Sequence, residues 1–325
     1  MCSSHNRGRA YCHQPGKNPD SKLLLRNPQE KTQSHFARPG DRTQDLMLSN
    51  YVRPFVRTGP SGYISSAGYG DHAAEIYNLE VRTDDIWVTA FSRSGTTWLQ
   101  ELVWLVTNNL DFDTARNVSI TERYAYIEPI FRVKPRLPRL VCGWVTIYHS
   151  EFPPCLGKHV FYIARDPRDV AVSFHFAHKL FRYFDDSVEF KEFWDLFKKD
   201  LIMHTPIFPH VKEAWQKRDH PNMMFLFYEE MQNSHLPKQI VCRFLDKEYS
   251  AKQKQQLIEY LNFNNMKKKP MVNTKNEEGN EVTFFRKGKS GNWVKYFDEE
   301  MTKEAEEYME KNLKETDMRF PNVIN

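Results

Sequence analysis

The segment from Asp84 to Val106 constrains the fold more than any other part of the chain. Asp84-Asp85 reads as a turn, and Ile86-Trp87-Val88-Thr89-Ala90-Phe91 behind it is a short apolar run of the kind that forms a buried strand. Ser92-Arg93-Ser94-Gly95-Thr96-Thr97 is small and polar, and Trp98 to Val106 then carries apolar residues at helical spacing. That is strand, tight loop, helix. The same order recurs at His159–Ala164, Arg165–Asp169 and Val170–Phe174, and a third apolar run spans Met223–Tyr228. Stretches 187–201, 209–217, 250–262 and 298–313 read as amphipathic helices. Strands alternating with helices predict an α/β fold, a three-layer, P-loop-like domain with a central parallel sheet flanked by helices.

The chain has 325 residues, 40% of them hydrophobic and 14% aromatic, enough for one large domain. Residues 1–55 are rich in Ser, Asn, Gln, Arg, Gly and Pro and read as a disordered basic tail, leaving 56–325 as the folded domain. Residues 1–60 carry ten Lys/Arg against four Asp/Glu, so the formal charge of +4 belongs to the tail and the remainder is slightly acidic. That distribution argues against a nucleic-acid binder. Five scattered cysteines without C-x-x-C spacing suggest reduced thiols in a cytoplasmic protein. No apolar run is long enough to span a membrane, and the N-terminus lacks the apolar stretch of a secretory signal.

Three strings can carry chemistry. The loop Ser92–Thr97, at a strand's carboxyl end and a helix start, reads either as a nest of backbone N–H groups for a phosphate or sulfate, or as an ordinary helix cap. It is not a Walker A loop, since no Gly-x-x-x-x-Gly-Lys-[Ser/Thr] is present; an ATP-dependent kinase is therefore disfavoured. Arg165, with Ser173 eight residues on, can fork onto a phosphate or pair internally with Asp166 or Asp169. Arg286-Lys287-Gly288 is a basic turn, either a solvated loop or an anion contact.

Taken together and in order, these strings resemble the cytosolic sulfotransferases. Ser94-Gly95-Thr96-Thr97-Trp98 matches that family's 5′-phosphosulfate loop, Tyr162–Ser173 its 3′-phosphate segment, and Arg286-Lys287-Gly288-x-x-Gly291-x-Trp293 its C-terminal signature. Leu226–Met231 and Met266–Met271 match two intervening blocks, and the likeness runs over about residues 60–320. The resemblance implies 3′-phosphoadenosine 5′-phosphosulfate (PAPS) as cosubstrate and no metal. Arg93, Ser94, Gly95, Thr96 and Thr97 would hold the 5′ end. Arg165, Ser173, Arg286, Lys287 and Gly288 would hold the 3′-phosphate. Trp98 and Phe263 would sandwich the adenine, with Tyr228 reaching its edge. A small apolar acceptor bearing a hydroxyl or amine, such as a phenol or sterol, would take the sulfuryl group. Tyr124, Tyr126, Phe131, Phe174 and Phe181 would suit such an acceptor, and core packing explains most of them equally well.

Three departures from the family pattern stand out. Ser92-Arg93 replaces the usual Pro-Lys, so a guanidinium stands where the family has an ammonium that steadies the leaving group. Trp144 stands at the position of the general-base His, and Trp cannot accept a proton. The nearest substitute is His149, so the catalytic pair reads Arg93 and His149; the alternative is a PAPS-binding protein with impaired catalysis. Lastly, the Thr-Val pair of the family's dimer motif is absent after Trp293, so a homodimer by that route is not implied.

Overall fold

The computed structural model describes residues 55–66, 82, 84–126, 140–143, 159–180, 187–233, 236–267, 273–275, 281–283 and 287–322. A hairpin of β1 (Phe55–Thr58) and β2 (Tyr63–Ser66) comes first, followed by β3 (Ile86–Ala90) and α1 (Thr96–Thr107). Two short helices, α2 (Phe112–Asn117) and α3 (Ile120–Arg123), lead into β4 (Ala125–Tyr126) and β5 (Leu140–Gly143). Next are β6 (His159–Ala164), α4 (Pro167–Leu180), α5 (Phe190–Lys198), α6 (Ile207–Gln216) and β7 (Met223–Phe227). The C-terminal part holds α7 (Tyr228–Asn233), α8 (Leu236–Phe244), α9 (Ala251–Tyr260), α10 (Phe263–Lys267), the strand pair β8 (Asn273–Lys275) and β9 (Glu281–Thr283), and α11 (Glu299–Leu313).

The main sheet has five strands in the order β4-β5-β3-β6-β7, each pair parallel. Alternation along the strands divides the core between two faces. Phe161 and Ile163 of β6 pack with Val88, Leu99, Leu102 and Val103 on the α1 face. Tyr162 and Ala164 pack with Val170, Phe193, Trp194 and Phe208 on the α4–α6 face. Sheet between two helical layers is the predicted three-layer architecture. It follows from strands buried on both sides, whose near-continuous apolar runs leave no face for solvent.

The strand order has one consequence for function. From β3 the chain moves toward β5 and β4, whereas from β6 it moves toward β7. The loops leaving β3 and β6 therefore part to opposite sides, and a crevice opens between their carboxyl ends. Met223–Tyr228 was read as strand throughout, yet Tyr228 opens α7. The short β4 and the β1–β2 hairpin carry too little apolar periodicity to be read in advance. The hairpin docks through Ile64, whose N–H donates to Thr205 O at 2.9 Å and whose carbonyl accepts from His204 N at 2.7 Å. Cys142 and Cys242 are buried and form no disulfide; the other three cysteines and residues 1–54 of the expected tail lie outside the described residues. Among the described residues no helix is long and apolar enough to cross a membrane.

On the α1 face, Arg123 and Glu101 form an ion pair at 2.5 Å with both side chains 3% exposed. Arg123 also donates to Val118 O at 3.1 Å and lies 4.6 Å over the Trp104 ring. Removing one partner leaves a buried charge uncompensated. Arg123→Met is expected to destabilise the fold by about 3–5 kcal/mol in urea unfolding, and Glu101→Leu added to it to restore most of that loss.

Candidate functional site

The β3–α1 loop folds as a cradle. Ser94 N donates to Phe91 O at 3.2 Å, and the Trp98 and Leu99 amides close onto Gly95 O at 3.0 and 3.1 Å. Gly95, at φ 102°, is the N-cap of α1, and no side chain caps the helix. The reading of Ser94, Thr96 or Thr97 as an ordinary cap therefore fails. Ser94 Oγ is buried without a hydrogen-bond partner among the described residues. A Cβ at Gly95 would come within 2.5 Å of Tyr228 Cδ2, so the glycine is required by the ring beside it. Arg93 also adopts a left-handed backbone, at φ 68°. Its Nε donates to Ser173 Oγ at 3.2 Å, linking the β3 loop to α4.

Arg165 enters the crevice from the end of β6 and is 9% exposed. Its Nη1 and Nη2 donate to Arg93 O at 3.3 Å and Lys289 O at 3.1 Å, and its Cζ lies 4.3 Å over the Tyr228 ring. Nε has no partner. The alternative of an internal Arg165–Asp pair is not realised. Asp166 instead pairs with Arg168 at 2.6 Å, and Arg168 stacks 4.0 Å over Trp293. Asp169 accepts from Gly291 N at 2.7 Å and Trp293 N at 3.0 Å. Arg165 is thus buried without an ion pair to a carboxylate among the described residues.

The C-terminal string is held on a second side by Gln232 of α7. Its Oε1 accepts from Ser290 N at 2.9 Å and Ser290 Oγ at 2.7 Å, while its Nε2 donates to Gly288 O. Gly288, at φ 60°, lies so close to Phe263 that a Cβ would collide with the ring. Trp98 Nε1 donates to Leu261 O at 3.0 Å, tying its indole to the turn that carries Phe263. Trp98 meets Tyr228 edge-on at 5.7 Å, and Lys238 Nζ lies 5.1 Å from its ring centre. Burial lowers Lys238 to about 8. Lys287 Nζ lies 5.7 Å over Tyr296.

Beside Arg93 lies a group of histidines. Ser92 Oγ is 2.6 Å from His204 Nδ1, and His204 stacks on Phe174 at 6.0 Å. Burial, reinforced by neighbouring positive charge, lowers both His178 and His204 to about 3. Both are neutral near pH 7 and too weakly basic for efficient proton abstraction. Arg286, Trp144 and the candidate base His149 lie outside the described residues.

The structure therefore brings together Arg93, Ser94, Gly95, Thr96, Thr97, Trp98, Arg165, Ser173, Tyr228, Phe263, Lys287 and Gly288 along one path. Sequence reasoning missed Asp169, Gln232 and Glu229 as supports. Asp169 and Glu229 lie within the matched blocks Tyr162–Ser173 and Leu226–Met231, and Gln232 directly follows the second, but only tertiary contacts show what each one holds. Among the described residues no group of His, Cys, Asp and Glu is placed to hold a metal ion.

A parallel α/β sheet flanked by helices, with two arginine-bearing loops diverging at its switch point, defines a P-loop-like α/β fold. A family model of the sulfotransferase domain matches residues 83–317, and the chain belongs to the sulfotransferase family of enzymes. It is 28% identical to sulfotransferase 1 family member D1 of Rattus norvegicus, across 77% of this chain and 90% of that protein. Luciferin sulfotransferase of Photinus pyralis is 26% identical across 84% of each. Among solved structures, retinol dehydratase in complex with androsterone and inactive cofactor PAP superposes with a TM-score of 0.79 at 35% identity, over 87% of this chain and 97% of that one. The same neighbour is known in a complex with retinol and PAP.

Because Asp169 anchors two amides of the C-terminal string, Asp169→Ala should free that string while leaving the sheet in place. Amide hydrogen exchange at Gly291 and Trp293 is expected to accelerate by roughly 10–100-fold, as loss of a charge-assisted hydrogen bond implies.

Proposed function

We propose that the crevice binds PAPS and that the protein transfers its sulfuryl group to the hydroxyl, or amine, of a small apolar acceptor. Arg165 carries this reading: a buried guanidinium with no carboxylate partner among the described residues, its Nε unsatisfied, facing a loop whose Ser94 hydroxyl is also unsatisfied. Each orphan donor is costly unless an anion satisfies it. The tight approaches at Gly95 and Gly288 set Tyr228 and Phe263 where a flat base can lie.

PAPS would supply an activated sulfuryl group for in-line displacement. The chain's part is positioning and charge. Ser94 to Thr97 and the first turn of α1 would orient the 5′ end, and Arg165, Ser173, Lys287, Gly288 and Arg286 the 3′-phosphate. Trp98 and Phe263 would clamp the adenine with Tyr228 at its edge. Arg93 would steady charge on the leaving oxygen, its permanently protonated fork substituting for a lysine. The acceptor class follows from the neighbours solved with retinol and androsterone, which suggest an isoprenoid or steroid alcohol, alongside phenols. The likeness to cytosolic enzymes favours a cytoplasmic location.

A second reading has its own support. Trp144 in the base position, with His178 and His204 lowered to about 3 and so only weakly basic, favours a PAPS-binding protein of reduced turnover. His149 is the residue that would rescue catalysis.

Titration calorimetry with adenosine 3′,5′-bisphosphate tests the binding site: Arg165→Ala is expected to weaken affinity by roughly 100-fold, since it removes a charge-assisted pair of bonds. Wild-type binding unaffected by that change would sink the assignment. Radiolabelled sulfate transfer over a retinoid, sterol and phenol panel then separates the two readings. Trp144→His is expected to raise turnover by roughly 10²-fold or more if the base is missing; wild-type turnover that falls with His149→Ala instead identifies His149 as the substitute.

A further inference from the structure

Glu229 is 2% exposed and stands directly after Tyr228 at the start of α7. Its Oε1 accepts from Asp166 N at 3.0 Å, whereas Oε2 is buried without a hydrogen-bond partner. The residues that hold it both lead to Arg165. Asp166 follows Arg165 in the chain, and the Tyr228 ring lies 4.3 Å beneath the Arg165 guanidinium.

The charges around Glu229 are few. Arg165 favours its ionised form and Asp166 opposes it. Tyr228, on the same helix, is kept neutral by burial. Asp166 is itself paired with Arg168, and Asp169 is occupied by the Gly291 and Trp293 amides. Burial dominates and raises the Glu229 carboxyl to about 7. The Asp166 amide and the carboxylate's own backbone N–H favour its charged form first, and Arg165 adds to them.

A phosphate dianion arriving at Arg165 would cancel that support and add negative charge nearby. Both effects make the carboxyl hold its proton more tightly. We propose that Glu229 is a positioning residue that takes up a proton when the 3′-phosphate of the nucleotide occupies Arg165, coupling nucleotide capture to a neutral carboxyl behind the site. The inference rests on the reading of Arg165 as the 3′-phosphate ligand. A neutral Oε2–H costs less to bury than the unpaired carboxylate oxygen it replaces.

The sign follows from linkage. Protonation is tighter in the bound state, so the contribution of Glu229 to affinity is fully present below its free-state value of about 7 and fades as pH rises through the higher bound-state value. The ligand's own phosphate monoester, with a second ionisation near about 6, acts in the opposite direction. Affinity is therefore expected to pass through a maximum, with a rising limb owned by the ligand and a falling limb owned by Glu229.

The test is titration calorimetry of the full chain with adenosine 3′,5′-bisphosphate at several pH values, in buffers of different ionisation enthalpy. The wild-type protein is expected to take up between about half and three-quarters of a proton per ligand near pH 7.5, and its Kd to weaken by roughly tenfold over the next one to two pH units. Glu229→Gln keeps a carbonyl acceptor for Asp166 N and imitates the neutral carboxyl. It should lose the uptake and the falling limb while retaining the rising limb. Net proton release by the wild type near pH 7.5, or a falling limb that persists in Glu229→Gln, overturns the proposal while leaving the nucleotide site intact. Should Glu229→Gln fold poorly, the buffer comparison is made on Lys238→Met, which removes the amine beside Trp98 that burial lowers to about 8; uptake that persists there supports the proposal, and its loss overturns it. Absence of any binding overturns this inference together with the nucleotide reading.

Discussion

The site depends on one carboxylate. Asp169, in the first turn of α4, receives the amides of Gly291 and Trp293, residues more than a hundred positions further along the chain. Burial raises its proton affinity, while Arg165 and the two amides oppose that. The competition matters because the carboxylate is the form that accepts both bonds. With it in place, the C-terminal string lies across the crevice, Lys289 O meets Arg165, and Gly288 comes against Phe263. Without it, the half of the site contributed by residues 287–293 would be held by Gln232, by the Arg165 bond to Lys289 O and by the Arg168 stack on Trp293.

The electrostatics of the crevice follow from how its acids are used. Asp166 is taken by Arg168, Asp169 by backbone amides, and Glu101 by Arg123 on the far side of the sheet. None forms an ion pair with Arg165 among the described residues. Positive charge is therefore left over where it can attract an anion, although the folded part of the chain is slightly acidic as a whole. Low local dielectric strengthens each such interaction, so a few placed cations outweigh the net charge.

Much of this was legible in the sequence because the two strand–loop–helix segments carry strong local signals. The apolar runs ending at Ala90 and Ala164 and the glycine at position 95 leave few alternatives, and the parallel sheet follows from them. What the sequence left open was partner choice. Whether Arg165 pairs with Asp166, with Asp169 or with a ligand depends on which acids find other partners, a tertiary fact that spacing along α4 does not encode. The roles of Gln232 and Glu229 were hidden for the same reason: each acts on backbone atoms of a segment distant in sequence. The strand β4 and the β1–β2 hairpin were missed because two to four residues give periodicity too little to work with. The stretch that would place Trp144 and His149 relative to the β3 loop lies beyond β5.

The left-handed backbone at Arg93 limits how this loop can change. An L-residue at φ 68° stores on the order of 1–2 kcal/mol that glycine would not. Relaxing the turn with glycine would stabilise the chain and remove the cation beside Ser173 in the same step. Thermal stability and charge at the reacting end are thus set against each other at a single position. Screens that select variants only for heat resistance will tend to drift toward a chain that folds better and has lost the guanidinium beside Ser173.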